Sequence, residues 1–297
     1  MRFGVYTDRG TLTCGGRAGA LGYETADAKF YARNGIDYVK EDSCNADADH
    51  QTAFHQYAKM RDALNATGRP IFFSLCGWSD WYAPVCHTLG NSCRIAQDDT
   101  NWAGVLVNID VMASVHSYAG PGGFNDPCLL LGRDATGNED VTDLQGRFQF
   151  SMWAIMAAPM LMSSNVRNLT AFQRETYLNL EVIAVNQDVL GRAGQRLVGG
   201  SLSSPAKGSA ATNVWGRPLS DGSWAFAFVN TDPSPTADLV CDAACLSLTG
   251  WEATQSLAVR DLWAHKMLPN TTASAGLSVT NLEGNGGARL LKVWPIW

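Results

Sequence analysis

The sequence predicts an α/β fold, a (β/α)₈ TIM barrel that is incomplete at its N-terminus, followed by an antiparallel β-sandwich. Two observations lead to this prediction. Short apolar runs alternate with helix-like stretches in the first two thirds of the chain, which is typical of βα units around a parallel sheet. Beyond a connector of small residues, short alternating runs are separated by turn signals, which is typical of a sandwich. We therefore expect a barrel domain over residues 1–196 and a sandwich over residues 197–297.

Polar residues end the predicted barrel strands, and within each strand end they stand two or four positions apart. They are Tyr6 and Asp8, Lys40 and Asp42, Cys76 and Trp78, Arg94 and Asp98, and Asp126 and Cys128. Side chains alternate faces along an extended strand, so the members of each pair face the same way. Polar side chains at the carboxyl ends of parallel strands mark the active face of a barrel. A doubly wound sheet would instead carry a glycine-rich turn between a strand and a helix.

Helix-like stretches separate these strands, over residues 26–34, 53–64 and 172–180 among others. The runs assigned to the sandwich begin near Asn213, Ser223, Ser256 and Ala288. Their aromatic side chains would suit glycan binding, but packing in a core is the expected role.

Composition excludes several classes of function. The chain of 297 residues is 46% hydrophobic and 17% charged, which allows a sizeable core and more than one domain. A net charge of -6 without a basic run argues against nucleic acid and anionic membranes as partners. The five histidines show no metal-ligand spacing, so we expect neither a metal nor a cofactor.

The segment 38–44 is the strongest single motif. Lys40 and Asp42 share a face of the predicted strand, and a neighbouring cation favours the ionised carboxylate that a nucleophile needs. A chance ion pair at a strand end would give the same pattern. The repetition of such pairs at the other strand ends favours catalysis.

These motifs resemble those of the α-galactosidases and α-N-acetylgalactosaminidases of glycoside hydrolase family 27. The matching segments follow the order and spacing of the family and cover residues 38–44, 76–78, 94–98, 120–127, 153–163 and 183–188. The match is looser in the sandwich, where it rests on residues 214–219 and a Cys-x-x-x-Cys pair.

The resemblance implies a retaining α-galactosidase that releases terminal α-D-galactosyl residues from oligosaccharides or glycoconjugates. Asp42 is then the nucleophile, and Asp98 is the acid/base because of its spacing from Arg94. Asp99 would face away in a strand and is the weaker candidate. A retaining enzyme holds its two carboxyl groups about 5–5.5 Å apart, and we expect that separation between Asp42 and Asp98.

The remaining site residues are expected to hold the sugar. Arg94 should bind a hydroxyl and orient Asp98, while Tyr6, Asp8, Lys40 and Asp126 line the same face. Each of these would also fit the ordinary role of a satisfied polar residue at a barrel rim.

Cys76 and Trp78 occupy the position that distinguishes substrates in the family. A tryptophan ring would fill the space of an N-acetyl group, which favours galactose over N-acetylgalactosamine. Gly77 replaces an acidic residue of relatives, and Cys128 replaces an aspartate. These departures leave open β-L-arabinopyranosidase and isomaltose-releasing activities. A catalytically inactive glycan-binding or structural remnant is the rival interpretation.

Eight cysteines are many for an enzyme in a reducing cytosol. The resemblance implies disulfide bonds between Cys14 and Cys44 and between Cys241 and Cys245. Cys86 and Cys93 bracket a Gly-Asn turn and are a further candidate pair, which leaves Cys76 and Cys128 as thiols. With sequons at Asn65, Asn168 and Asn270, this predicts a secreted or lysosomal/vacuolar glycoprotein, acting alone or as a homodimer.

The chain begins inside a predicted strand, with no signal peptide ahead of it. The resemblance makes this the third barrel strand, so six candidate strands stand where a closed barrel needs eight. We expect a truncated product or gene model rather than a degenerate barrel that another element completes. On that expectation residues 1–297 would be poorly soluble and nearly inactive, because open sheet edges are exposed.

Overall fold

The computed structural model describes residues 1–133, 137–233 and 236–296. The chain divides into two compact units. One comprises Met1–Gln97 with Pro121–Asp126, and the other comprises Asp98–Gly120 with Pro127–Trp297. None of the helices in the described ranges has the length and apolar character that crossing a membrane requires.

The first unit is built on a parallel sheet whose five strands lie side by side in chain order. They are β1 (Gly4–Asp8), β2 (Tyr38–Asp42), β3 (Phe72–Cys76), β4 (Ser92–Arg94) and β5 (Phe124–Asp126). Helices α1 (Glu24–Arg33), α2 (His50–Ala66) and α3 (Cys86–Leu89) connect the first four strands. Parallel neighbours joined by helices are the βα units that the sequence predicts.

Helix α2 packs against this sheet through one apolar stripe. Its buried residues Ala53, Tyr57, Met60 and Leu64 are spaced three or four apart, so they lie on one face of the helix. They share a buried cluster with Val39 and other sheet residues. Asp49 caps the helix by accepting the Thr52 N–H.

The second unit begins with four helices and a short pair of parallel strands. In chain order they are α4 (Trp102–Val115), β6 (Leu130–Leu131), α5 (Asp143–Ile155), β7 (Met162–Ser163), α6 (Ala171–Tyr177) and α7 (Leu180–Asn186). The helix expected over residues 172–180 ends at Tyr177, and a second helix begins at Leu180. Asn179 accepts the backbone N–H groups of Glu181 and Val182, so it caps a new helix where the apolar pattern alone appears continuous.

The C-terminal part is antiparallel. A six-stranded sheet comprises β8 (Gln195–Val198), β9 (Thr212–Pro218), β10 (Trp224–Asn230), β12 (Ser256–Asp261), β13 (Lys266–Thr272) and β15 (Gly287–Pro295). A second sheet pairs β11 (Thr236–Cys241) with β14 (Leu277–Glu283), and helix α8 (Ala243–Leu246) follows β11. The two sheets share a core that includes Phe226, Phe228 and Val279. Strand β8 spans the expected boundary at residue 196, and the extents of the two domains stay a prediction.

Three disulfide bonds are present. They join Cys14 to Cys44, Cys86 to Cys93, and Cys241 to Cys245, which are the pairs expected from the sequence. Cys76 and Cys128 are buried and lie outside disulfide bonds. The three sequon asparagines are exposed.

Asp110 of α4 holds the connector that leads from β8 to β9. Its carboxylate accepts the N–H groups of Leu202 and Ser203 at 3.0 and 2.8 Å and the hydroxyls of Ser201 and Ser203 at 2.7 Å. Arg196 completes an ion pair with it. Burial would raise the pKa of Asp110, but these hydrogen bonds outweigh burial and hold the pKa below its ordinary value.

We expect Asp110→Asn to lower the free energy of unfolding by about 2 kcal/mol or more near pH 7, because an amide replaces a carboxylate that accepts several charge-assisted hydrogen bonds. The pKa of Asp110 is depressed in the folded state. Its stabilisation is therefore present above the unfolded pKa of about 3.9 and is lost as the pH falls through the folded value. Denaturant titrations from pH 7 to pH 3 should show the two proteins converging.

Asp62→Asn is the matched control, since Asp62 pairs with Arg61 at an exposed position. That change should cost no more than about 0.5 kcal/mol. An Asp110→Asn protein as stable as the control would show that Asp110 does not anchor the connector.

Candidate active site

One row of polar side chains crosses the carboxyl end of the parallel sheet. Asp8 pairs in register with Asp42, Cys76 with Arg94, and Arg94 with Asp126. In-register neighbours in a sheet point to the same side. The structure therefore brings together five of the residues predicted for the site, one from each strand.

Two further predicted residues lie on the same face, two positions earlier. Tyr6 pairs with Lys40, and Lys40 pairs with Ser74 of β3. Lys40 is half-buried, whereas the Tyr6 side chain is largely exposed. Together with the row above, they form a polar patch at the carboxyl ends of β1 to β5.

Asp42 is 6% exposed and is surrounded by donors. Its Oδ1 accepts the Ser43 N–H at 3.0 Å, and its Oδ2 accepts the Tyr6 hydroxyl at 3.0 Å. The Cys76 thiol also donates to this carboxylate. Burial and the charge of Asp42 raise the pKa of Tyr6, so the phenol keeps the proton that it donates. The carboxylate of Asp42 is thus held in a fixed orientation.

Asp8 is fully buried, and both of its oxygens are occupied by the backbone. Oδ1 accepts the Gly10 N–H at 2.8 Å, and Oδ2 accepts the Cys44 N–H at 2.7 Å. Burial raises the pKa of Asp8, and these two bonds offset part of the rise. The contacts favour a role in fixing the loop after Asp42 over the predicted contact with a sugar.

Arg9 also donates hydrogen bonds to the loop after Asp42. Its Nε donates to Ser43 Oγ at 2.9 Å and its Nη2 to the Asp47 carbonyl at 2.7 Å. Ser43 Oγ in turn lies 2.7 Å from the Tyr57 hydroxyl on α2. Neither Arg9 nor Tyr57 is among the predicted site residues, because nothing in the local sequence shows that they meet Ser43.

Cys76 and Arg94 are both buried and in contact. Arg94 Nη1 lies 3.8 Å from Cys76 Sγ, and Nη2 lies 3.5 Å from the Ala96 carbonyl oxygen. Burial raises the pKa of Cys76, and the nearby charges of Lys40 and Arg94 offset only part of the rise. Cys76 is therefore a neutral thiol, suited to donating a hydrogen bond rather than to attacking a substrate.

Tyr38 is a site residue that the sequence analysis missed. It lies two positions before Lys40 and thus on the same face of β2, close to Ser74 of β3. Burial and the negative charge of Asp126 raise the pKa of Tyr38 to about 12, although the nearby Ser74 hydroxyl opposes the rise. The period of two that identified Lys40 and Asp42 would also have identified Tyr38.

The segment after β3 is tightly constrained. Trp78 adopts a positive φ of 54°, an uncommon conformation for a bulky residue, and its carbonyl accepts the Gln97 side chain at 3.0 Å. A Cβ added to Gly77 would lie 2.0 Å from the ring of Tyr82. The departure from an acidic residue at position 77 is therefore required by packing against Tyr82.

Asp98 and Asp99 lie in the second unit and differ in environment. Asp98 is exposed, whereas Asp99 is buried and its Oδ2 accepts the Gln149 side-chain N–H at 3.2 Å. An acid/base must reach both substrate and water, so the exposed carboxyl is the better candidate. The assignment of Asp98 over Asp99 nevertheless stays a prediction.

Asp8, Cys14, Asp42 and Cys44 offer ligand atoms within 4.8 Å of one another, as a metal site would. Cys14 and Cys44 share a disulfide bond, however, so neither supplies the thiolate that a metal would need. The group of residues fits a structural crosslink beside Asp42 better than a metal centre.

Glu41 points away from this patch, into the layer between the sheet and the helices. It is 0% exposed, and neither of its carboxyl oxygens has a hydrogen-bond partner within the described ranges. Burial raises the pKa of Glu41 well above its usual range, and the negative charges of Glu24 and Asp8 add to the rise. Its environment therefore favours the protonated form of Glu41.

Comparison with known proteins places this fold in a class. The family model described as alpha galactosidase A matches residues 1–188, and that of the alpha galactosidase C-terminal beta sandwich domain matches residues 209–290. The barrel sheet and the antiparallel sandwich that follows it match these two models in order along the chain, which places it in the class of barrel glycosidases with a C-terminal sandwich. The chain belongs to the alpha galactosidase A family, within glycoside hydrolase family 27.

Individual relatives carry names from the same family. A Dictyostelium discoideum protein named "Probable alpha-galactosidase" is 37% identical over 92% of this chain, and Arabidopsis thaliana alpha-galactosidase 3 is 38% identical over 93%. The matched regions span 67% and 60% of those two proteins. The crystal structure of alpha-galactosidase I from Mortierella vinacea superimposes with a TM-score of 0.86 at 28% identity, covering 99% of this chain and 76% of that one. The comparison establishes the barrel and the sandwich as the fold.

We expect Gly77→Ala to lower the free energy of unfolding by about 1–3 kcal/mol, because the added methyl overlaps the buried ring of Tyr82. Tyr82→Leu in the same chain should recover part of the loss. A double-mutant cycle measured by urea unfolding would report the coupling.

Gly15→Ala is the matched control, since a Cβ at Gly15 meets nothing within 4 Å. It should change stability by less than about 0.5 kcal/mol. Equal effects at Gly15 and Gly77, or no coupling to Tyr82, would contradict the packing argument.

Proposed function

We propose that the protein is a retaining α-galactosidase that hydrolyses terminal α-D-galactosyl residues of oligosaccharides or glycoconjugates. The observation that supports this best is the position of Asp42. Its buried carboxylate sits at the end of β2, fixed by the Ser43 N–H and the Tyr6 hydroxyl, in a row with Cys76, Arg94 and Asp126. Membership of the family supplies the reaction class.

In the first step, a carboxylate oxygen of Asp42 attacks the anomeric carbon. The glycosidic C–O bond breaks as Asp98 gives its proton to the departing oxygen, so the aglycone leaves as an alcohol. The product on the protein is a β-galactosyl ester of Asp42. The hydrogen-bond donors around Asp42 hold its carboxylate in position for attack, so little conformational freedom is lost when the transition state is reached.

In the second step, Asp98 removes a proton from water, and the oxygen of that water attacks the anomeric carbon. The ester C–O bond breaks, galactose leaves with its original α configuration, and Asp42 returns as a carboxylate. Two inversions thus give net retention. This requires the two carboxyl groups to lie about 5–5.5 Å apart across the sugar.

The sugar contacts follow from the polar patch. Lys40, Arg94 and Asp126 offer charged groups to the hydroxyls, while the single proton of the Cys76 thiol is engaged by Asp42. Trp78 is held in its position by the constrained backbone after β3. Its ring is proposed to exclude a 2-acetamido group, which makes galactose the preferred substrate over N-acetylgalactosamine.

We also propose an oxidising compartment, as in a secreted or vacuolar route. Three disulfide bonds and three exposed sequon asparagines support it. The expected homodimer stays a prediction.

In a chain whose barrel has all eight strands, Asp42→Asn should lower kcat on a nitrophenyl α-galactoside by more than about 10³-fold while leaving the unfolding midpoint nearly unchanged, because an amide cannot form the glycosyl ester. With Asp42→Gly and sodium azide, turnover should return with β-galactosyl azide as product, since azide then attacks the anomeric carbon once. Wild-type protein without any turnover would favour the inactive remnant instead.

Asp98→Asn should lower kcat by about 10²–10⁴-fold on an alkyl α-galactoside. The loss should be smaller for a nitrophenyl leaving group, which departs without a proton. Azide should yield α-galactosyl azide from this variant, because it attacks the ester that Asp42 has already formed. Asp99→Asn is the matched control, and the same leaving-group pattern in that variant would move the acid/base to Asp99.

A further inference from the structure

A cavity that is suited to a ligand lies beside α7, over the six-stranded sheet of the second unit. Its volume is about 420 Å³, within the range of pockets that hold small ligands. Trp294 of β15 and the buried Leu262 give it an apolar surface, and exposed Ala184 leaves one side open. None of these residues belongs to the proposed catalytic set.

Two ion pairs line the same cavity. Arg260 donates to both oxygens of Glu181, from Nε at 2.6 Å and from Nη2 at 2.8 Å. Lys292 Nζ donates to Asp221 Oδ2 at 2.7 Å. The bidentate pair and the second pair hold four charged groups in place before any ligand arrives.

These pairs persist in acid. Hydrogen bonds from Arg260 and His265 lower the pKa of Glu181 to about 2, although burial opposes the shift. Burial acts against ionisation of Asp221, but bonds from Lys292 and Ser223 outweigh it and lower its pKa to about 2. Both carboxylates therefore stay charged above about pH 3.

The charges that line the cavity cancel, since two cations face two anions. A ligand with a net charge would meet an attractive group and a repulsive one at similar distances, so the cavity favours a neutral ligand. Unused hydrogen-bond donors remain on the two cations, and unused acceptors remain on the two carboxylates. Glu181 engages two of the five N–H groups of Arg260, and Asp221 engages one of the three of Lys292, so spare donors stand beside carboxylate lone pairs.

A hydroxyl group can donate to a carboxylate and accept from a cation at once. A pyranose ring carries several such hydroxyls around its edge and presents C–H groups on its faces, which suit an aromatic side chain such as Trp294. We propose that this cavity is a non-catalytic site that binds one neutral pyranose unit of a saccharide. The proposal does not rest on the proposed hydrolysis.

Native affinity electrophoresis of the full chain tests the proposal, with turnover blocked by Asp42→Asn. Gels contain galactomannan, dextran, the polyanion polygalacturonate or no polymer. We expect retardation by at least one neutral polymer and none beyond the plain gel by polygalacturonate. Trp294→Ala and Lys292→Met should each weaken the apparent affinity about tenfold or more.

Matched variants keep the outcome decisive. Trp251→Ala removes a tryptophan that packs on the sandwich core, and Lys266→Met removes an exposed lysine of β13. Both should bind as the parent does. Circular dichroism and thermal unfolding check that each variant folds. If Trp294→Ala does not fold, Lys292→Met tests the proposal instead, because the Lys292 side chain is only partly buried. No retardation by either neutral polymer, preference for the polyanion, or equal losses in the matched variants would overturn the proposal.

Discussion

The in-register pairing of the parallel strands is the constraint on which the site depends. Because side chains alternate with a period of two, a slip of one residue in β2 would turn Asp42 towards the helices and bring Glu41 to the polar face. Burial of Val39 and Leu75 against the helix layer holds the register, since these side chains leave water only in this alignment. The apolar residues of the sheet therefore decide where its catalytic candidates lie.

Much of this arrangement follows from local pattern. Alternation alone predicts which of Lys40, Glu41 and Asp42 share a face, and the strand ends at Cys76, Arg94 and Asp126 are visible as apolar runs that stop. The resemblance to the family adds the Cys14–Cys44 and Cys241–Cys245 pairs, of which the first joins residues 30 apart in sequence.

What the sequence did not reveal depends on tertiary contact. The burial of Asp8 against the Cys44 N–H and the Arg9 bond to Ser43 each need a partner far along the chain. The glycine at position 77 is required by the ring of Tyr82, which is near in sequence but meets position 77 only once the segment between them has folded. The split of the helix near Asn179 is a local exception. A capping residue outweighed a continuous apolar pattern there, and a closer examination of the Asn residue would have placed the break.

Glu41 has a consequence for the energetics of the whole chain. Burial favours the protonated carboxyl group in the folded state, so at a pH between its unfolded and folded pKa values, unfolding exposes the group to water and releases a proton to the buffer. The heat absorbed on unfolding therefore includes the ionisation enthalpy of whichever buffer takes up that proton. Calorimetric enthalpies of unfolding for this protein will differ between phosphate and Tris at one pH. The difference gives the number of protons released on unfolding and is independent of the contacts that are broken.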